Sequence, residues 1–174
     1  MTFSPLSVPS TRTNSNQLTV AGLIFGCLLF AGAFLIFLQF ARVVIDQVAV
    51  VQSLRTISGA AHTHSNKYHR GFPPTMAALG PPSAGDPDAA AAGLIDAQLA
   101  SGVKYGYVFA YAPRSSHYGV APEHFGTSAD PMREGVNGVR HFFIDDTGVV
   151  RTEWRAPAGA ASTPEPLQSI FRVP

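Results

Sequence analysis

The sequence predicts an α+β fold in which one long N-terminal helix packs on a small antiparallel β-sheet. Three observations carry that expectation. An apolar run over residues 18–40 contains no Asp, Glu, Lys, Arg or His. Apolar residues at helical spacing continue to Ala61. Near the C-terminal end, short stretches alternate as strands do around a tight polar turn.

The apolar run reads "LTVAGLIFGCLLFAGAFLIFLQF", with Thr19, Cys27 and Gln39 as its polar members. A bilayer core of about 30 Å needs roughly 20 helical residues, because only bonds within the segment satisfy its backbone there. The run meets that length, which predicts a transmembrane helix over 18–40. Gly22 and Gly26 form a G-x-x-x-G pair. Such a pair lets a second helix approach closely, although two lipid-facing glycines read the same way. The rival is a cleaved signal peptide, since Ala31-Gly32-Ala33 fits a small-x-small cleavage pattern. Against it, cleavage there leaves "FLIFL" on the mature N-terminus. Arg12 precedes the run and Arg42 follows it, so basic residues barely orient it. The short leading tail and the bulk that follows favour the tail inside and the domain outside.

No proline occurs between Pro9 and Pro73. Val43, Val50, Leu54, Ile57 and Ala61 recur on one helical face, with Arg42, Gln47, Gln52, Arg55 and Ser58 turned largely elsewhere. One helix is expected from residue 18 to about residue 66, apolar all round in its first half and amphipathic in its second. The second half requires a cover.

A sheet supplies it. In "GYVFAY", residues 106–111, Tyr107, Phe109 and Tyr111 share one face and Val108 and Ala110 the other. "VRHFFID" (139–145) and "VVRTEW" (149–154) form a hairpin around Asp145-Asp146-Thr147-Gly148, where Gly148 supplies the left-handed position. Either Phe142 with Ile144, or Phe143 with His141, faces the helix, and alternation alone leaves both open. Between helix and sheet, residues 71–103 are turn-rich. A short helix is expected at 75–79, and a second at 89–100 with Asp88 as its cap and Gly102 at its end. Residues 113–137 read as a loop. The full plan is a disordered N-terminal tail over 1–17, the membrane helix over 18–40, a domain over 41–155 and a disordered C-terminal tail over 156–174.

Composition excludes some functions. Net charge is +1 and 13% of residues are charged, so the basic stripe of a nucleic-acid binder is missing. The single cysteine, Cys27, lies inside the apolar run and forms no internal disulfide. "HTHSNKYHR" brings His62, His64 and His69 within eight residues. On a helix His62 and His64 diverge by about 200°, and His62 and His69 lie about 10 Å apart, so shared metal ligation requires unwinding. Basic side chains there suit the negative helix end. Asp145, Asp146 and Glu153 are candidate paired acids, but turn formation accounts for the aspartates. His117, His124 and His141 with Ser115, Ser116 or Ser128 make no recognisable nucleophile pattern, and G-x-S-x-G is absent. Tyr105, Tyr107, Phe109 and Tyr111 suit a sheet packing on its helix better than a sticky surface. No catalytic, cofactor or metal site is expected, and no enzyme.

Taken in order, "SLRTISGAAHTHSNKY", "GFPPTMAALG", "GLIDAQLASGVKYGYVFAY" and "GVRHFFIDDTGVVR" resemble a group of bacterial type IV pilin-like proteins. In that group an S-L-R-T-I helix leads to G-F-x-P-x-L-A-A-L-G, a G-L-I-D helix, a G-Y-x-F-x-Y strand and a final R-H-F-F-x-D-x-x-G-V-I-R hairpin. The likeness covers residues 53–151, and the architecture is also that of the pseudopilins of type II secretion. It implies a non-enzymatic, single-pass protein of the bacterial inner membrane with an extracytoplasmic domain. Its partners would be the membrane and other pilin-like or assembly subunits. The sequence departs from the family at the processing site. Family precursors carry a glycine, a cut and a glutamate at the fifth mature position. Here the fifth residue after Gly22 is Cys27 and after Gly32 is Phe37, and no acid precedes Asp46. That favours a permanently anchored pilin-like protein, with an anchored ligand-binding or sensor module as the alternative.

Overall fold

The computed structural model describes residues 15–117 and 120–164, with side chains described at 23–35, 37–38 and from 47 onward. Of the two expected tails, residues 1–14 and 165–174 lie outside the described residues. The fold is α+β. Helix α1 (Ser15–Tyr68) is followed by a 3-10 helix (Met76–Leu79) and a short α2 (Ala97–Ala100). Six strands complete it: β1 (Val103–Lys104), β2 (Tyr107–Arg114), β3 (His124–Pro131), β4 (Arg140–Asp145), β5 (Arg151–Trp154) and β6 (Thr163–Pro164). They form one sheet in chain order, each strand antiparallel to the next. Every connection therefore joins neighbours, the simplest way to pair strands made in sequence.

The chain divides into two compact units, Met1–Phe40 and Ala41–Pro174. In the first, the described side chains of α1 are exposed all round, among them Leu23, Phe25, Leu29, Phe30 and Leu35. Among the described residues no helix is long and apolar enough to cross a membrane. The span expected over 18–40 includes side chains 18–22, 36, 39 and 40, which lie outside the described set.

In the second unit, α1 buries Val50, Val51, Leu54, Ile57, Ala60 and Ala61 in one core with Tyr107 and Phe109 of β2, Phe125 and Ala129 of β3, and Phe142 and Ile144 of β4. Leu79, Ile95 and Leu99 of the connecting segment join the same core. Gln47 and Ser58, expected to turn outward, are buried. With two covers, sheet and connecting segment, the buried arc widens to roughly half the helix circumference, beyond the stripe that large apolar residues mark. Val43 lies outside the described side chains. The helix ends two residues later than expected, where His69 takes φ 52° and Gly71 φ 71°.

The expected helix over 75–79 is the 3-10 turn, its Thr75 hydroxyl accepting the Ala78 N–H. The expected helix over 89–100 shortens to α2, capped by Asp96. Asp88 accepts the N–H groups of Ala90 and Ala91 in a turn instead. The N–H groups of Ala92, Gly93, Leu94 and Ile95 then donate to carbonyls of Ala78, Leu79 and Gly80, so tertiary bonds replace helical ones. The expected loop over 113–137 contains β3, with all eight of its residues paired to β2. The tail expected to be disordered from 156 turns back at Gly159 and Ser162 and adds β6 to β5.

Candidate functional site

Three polar groups gather where the β4–β5 hairpin turns. The turn closes as expected: the Gly148 N–H donates to Asp145 O at 3.0 Å, and Gly148 takes φ 75°. Asp145 is used within the turn, accepting the Thr147 N–H and hydroxyl. Asp146 instead reaches sideways. Its carboxylate accepts His124 Nδ1–H at 2.9 Å, and its carbonyl accepts His62 Nε2–H at 3.1 Å. The hydrogen bond to Asp146, followed by its charge, holds the His124 imidazole above its ordinary pKa. Beneath this cluster the Phe72 and Phe125 rings meet edge-on at 4.8 Å, and His62 lies edge-on to Phe72 at 5.1 Å. Helix end, connecting segment, β3 and hairpin turn are thus joined by one aromatic and polar cluster.

The three histidines of the "HTHSNKYHR" stretch part company. His62 is exposed and bound to Asp146, and His69 caps the helix in the left-handed region. His64 is 2% exposed and donates its Nε2–H to Ala89 O at 2.9 Å. Among the described residues no group of three or more His, Cys, Asp or Glu side chains converges as metal ligands do. No family model, no curated protein and no solved structure matches this chain.

The face of the sheet turned away from α1 carries a second polar group. His141 of β4 donates Nδ1–H to Asp130 of β3 at 2.6 Å, and the Ser128 hydroxyl donates to the other carboxylate oxygen at 3.1 Å. Asp130 sets the histidine tautomer, as an orienting carboxylate does beside a general base. The serine, however, is bound to the aspartate and not to the imidazole. His141 Nε2 is itself buried, so this grouping presents no activated hydroxyl to a substrate. Ser116 bonds to Glu123 and Ser115 to Val120 O, both away from His141. Glu153 stands opposite His141 on β5, about 13 Å along the strands from Asp145 by strand rise. The candidate acids are therefore dispersed. Asp130 falls in a stretch whose composition reads as loop, and the alternation Ser128-x-Asp130 is the signal that marks it.

Tyr107 and Phe109 are buried against α1, and Tyr111 stacks on Phe125 with ring centroids 5.5 Å apart. Burial pushes the Tyr111 phenol well above its ordinary range. Tyr105, in contrast, is exposed, with Lys104 Nζ 5.2 Å from its ring centroid. The aromatic alternation of β2 is core, with Tyr105 outside it. At the far end of the hairpin the Arg140 guanidinium lies 4.7 Å from the Trp154 ring centroid.

Proposed function

We propose that this chain is a non-enzymatic, single-pass protein of the bacterial inner membrane with a type IV pilin-like extracytoplasmic domain. Its role is structural or accessory, in a pilus or a type II secretion-like assembly. One observation carries the reading: α1 has two kinds of surface. Over residues 23–38 its described side chains are apolar and exposed all round, and beyond residue 47 half its circumference is sealed by sheet and connecting segment. A helix apolar on every side is stable in lipid or in a protein core, whereas water disfavours it.

The test is the intact mass and N-terminal sequence of the protein recovered from membranes and from medium. The expected result is an uncut chain in the membrane fraction that resists alkaline carbonate and needs detergent for release. Release by carbonate, or a soluble product cut after Ala33, overturns the reading. A cut after Gly22 or Gly32 revises its anchored form to a processed pilin and directs the search to filaments.

A further inference from the structure

We propose that the cleft beside the end of α1 is a binding site for a small apolar organic anion, a hydrocarbon body bearing one carboxylate. The cleft has a volume of about 510 Å³, inside the range of small-molecule sites. Its walls come from four separate segments: His64 in α1, residues 70–74 leaving the helix, Ala89–Ala90, and Ala121–Pro122 just before β3.

These walls are fixed to one another. The Phe72 N–H donates to Pro122 O at 2.8 Å, and His64 Nε2–H donates to Ala89 O at 2.9 Å. Between them Gly71 takes φ 71°, and a Cβ there would meet Pro122 O at 2.5 Å. Two walls are thus held at a separation that only glycine permits. The cleft is built into the fold, which lowers the ordering cost of filling it.

Its chemistry selects the ligand. Phe72, Pro74, Pro122 and the alanine methyls give apolar walls, and no acidic side chain lines it. The charge at the cleft is Arg70, whose planar guanidinium matches a carboxylate with two parallel hydrogen bonds. The second polar group is His64. Because Nε2–H is committed to Ala89, Nδ1 is left as an acceptor, and it is buried without a partner among the described residues. One cation with apolar walls suits a carboxylate on a hydrocarbon body better than a bare inorganic anion, which needs several donors.

The site is independent of membrane anchoring, so either proposal stands if the other fails. The experiment titrates the isotope-labelled full chain in detergent micelles with benzoate, benzyl alcohol and sulfate, and follows amide resonances. Benzoate is expected to give saturable shifts at Phe72, Ala90 and Ala121. Arg70→Gln, an exposed substitution, is expected to weaken binding about tenfold, the loss of one charge-assisted contact. Ala90→Trp at the exposed rim should abolish the shifts while the hairpin resonances stay in place. Equal affinity for benzyl alcohol overturns the selection for charge, and equal affinity for sulfate leaves only adventitious ion binding. Shifts that rise linearly and ignore Arg70→Gln are micelle partitioning, and overturn the site.

Discussion

Phe142 and Phe143 are adjacent, chemically identical and both buried, yet they should differ in what they hold together. Phe142 is 0% exposed and joins the α1 core, its ring centroid 6.1 Å from that of Tyr107. Phe143 is 8% exposed on the opposite face, where its ring lies over Gly126 so closely that a Cβ there would come within 2.9 Å. Truncating Phe142 to alanine leaves a closed cavity between sheet and helix, a loss of about 3–5 kcal/mol. Truncating Phe143 opens a surface that water fills, so mainly the transfer energy is lost, about 1.5–2.5 kcal/mol. For a unit of this size each kcal/mol lowers the Tm by about 4 °C. The expected drops are then about 12–20 °C for Phe142→Ala and about 6–10 °C for Phe143→Ala. Melting of the full chain in detergent micelles, followed by circular dichroism and by emission of the single Trp154, measures both. Equal drops, or a larger one for Phe143→Ala, would refute the assignment of Phe142 and Ile144 to the helix-facing side.

Protonation of His124 should stabilise the domain. Its folded pKa is raised above 6.5, so the stabilisation is complete below that value and is lost as pH rises through the higher folded one. The Tm difference between the native chain and His124→Gln should be positive near about pH 6 and vanish by about pH 9; a difference constant across that window contradicts the Asp146 pairing. Asp96 caps α2 through the Leu99 N–H and pairs with Lys104 at 2.7 Å, chiefly the latter lowering its pKa. Asp96→Ala should cost about 1 kcal/mol, most of it the cap, and Asp96→Asn only a few tenths of that, since an exposed ion pair contributes little. Denaturant midpoints separate the two, and equal losses would assign the effect to the charge. Gly71→Ala combines positive φ with a close approach to backbone, so a loss of about 1–3 kcal/mol is expected, with faster amide exchange at Phe72. Unchanged exchange there would mean the Phe72–Pro122 bond does not depend on glycine.

The parts of the fold that were legible are those whose packing follows local periodicity. The amphipathic half of α1 and the strands of the hairpin read correctly because Leu54 and Ile57, or Phe142, Phe143 and Ile144, are large enough to mark a stripe or an alternation, although alternation alone leaves the helix-facing side of the hairpin open. β3 did not, although it lies between β2 and β4. "HFGTSADP" carries glycine, aspartate and proline, which are poor strand formers, and its inward residues beyond Phe125 are only Thr127 and Ala129. What makes it a strand is supplied from elsewhere: eight pairs to β2, and the Phe143 ring covering Gly126. The alanine run before α2 failed in the opposite direction. Alanine favours helix, but Gly93 takes φ 66° and the next amides bond to the 3-10 turn, so tertiary partners outweighed propensity.

The polar clusters divide along the same line. His64 suits the negative helix end by its chemistry, yet its burial is written in the spacing. Leu54, Ile57 and Ala61 run at intervals of three and four, and the next step of three lands on residue 64. Extending the stripe one turn further would have placed an imidazole where an apolar side chain is due, and a buried imidazole needs a partner. Ala89 O, 25 residues later, is that partner, and no periodicity could have named it. The same holds for Asp130 and His141, which meet through a β3–β4 register that depends on recognising β3. Helix position was thus enough to show that a polar group is buried, and only pairing across the chain shows what it binds. His64 continues the stripe that seals the domain on α1, and its Nε2–H ties that helix to the wall of the cleft at Ala89.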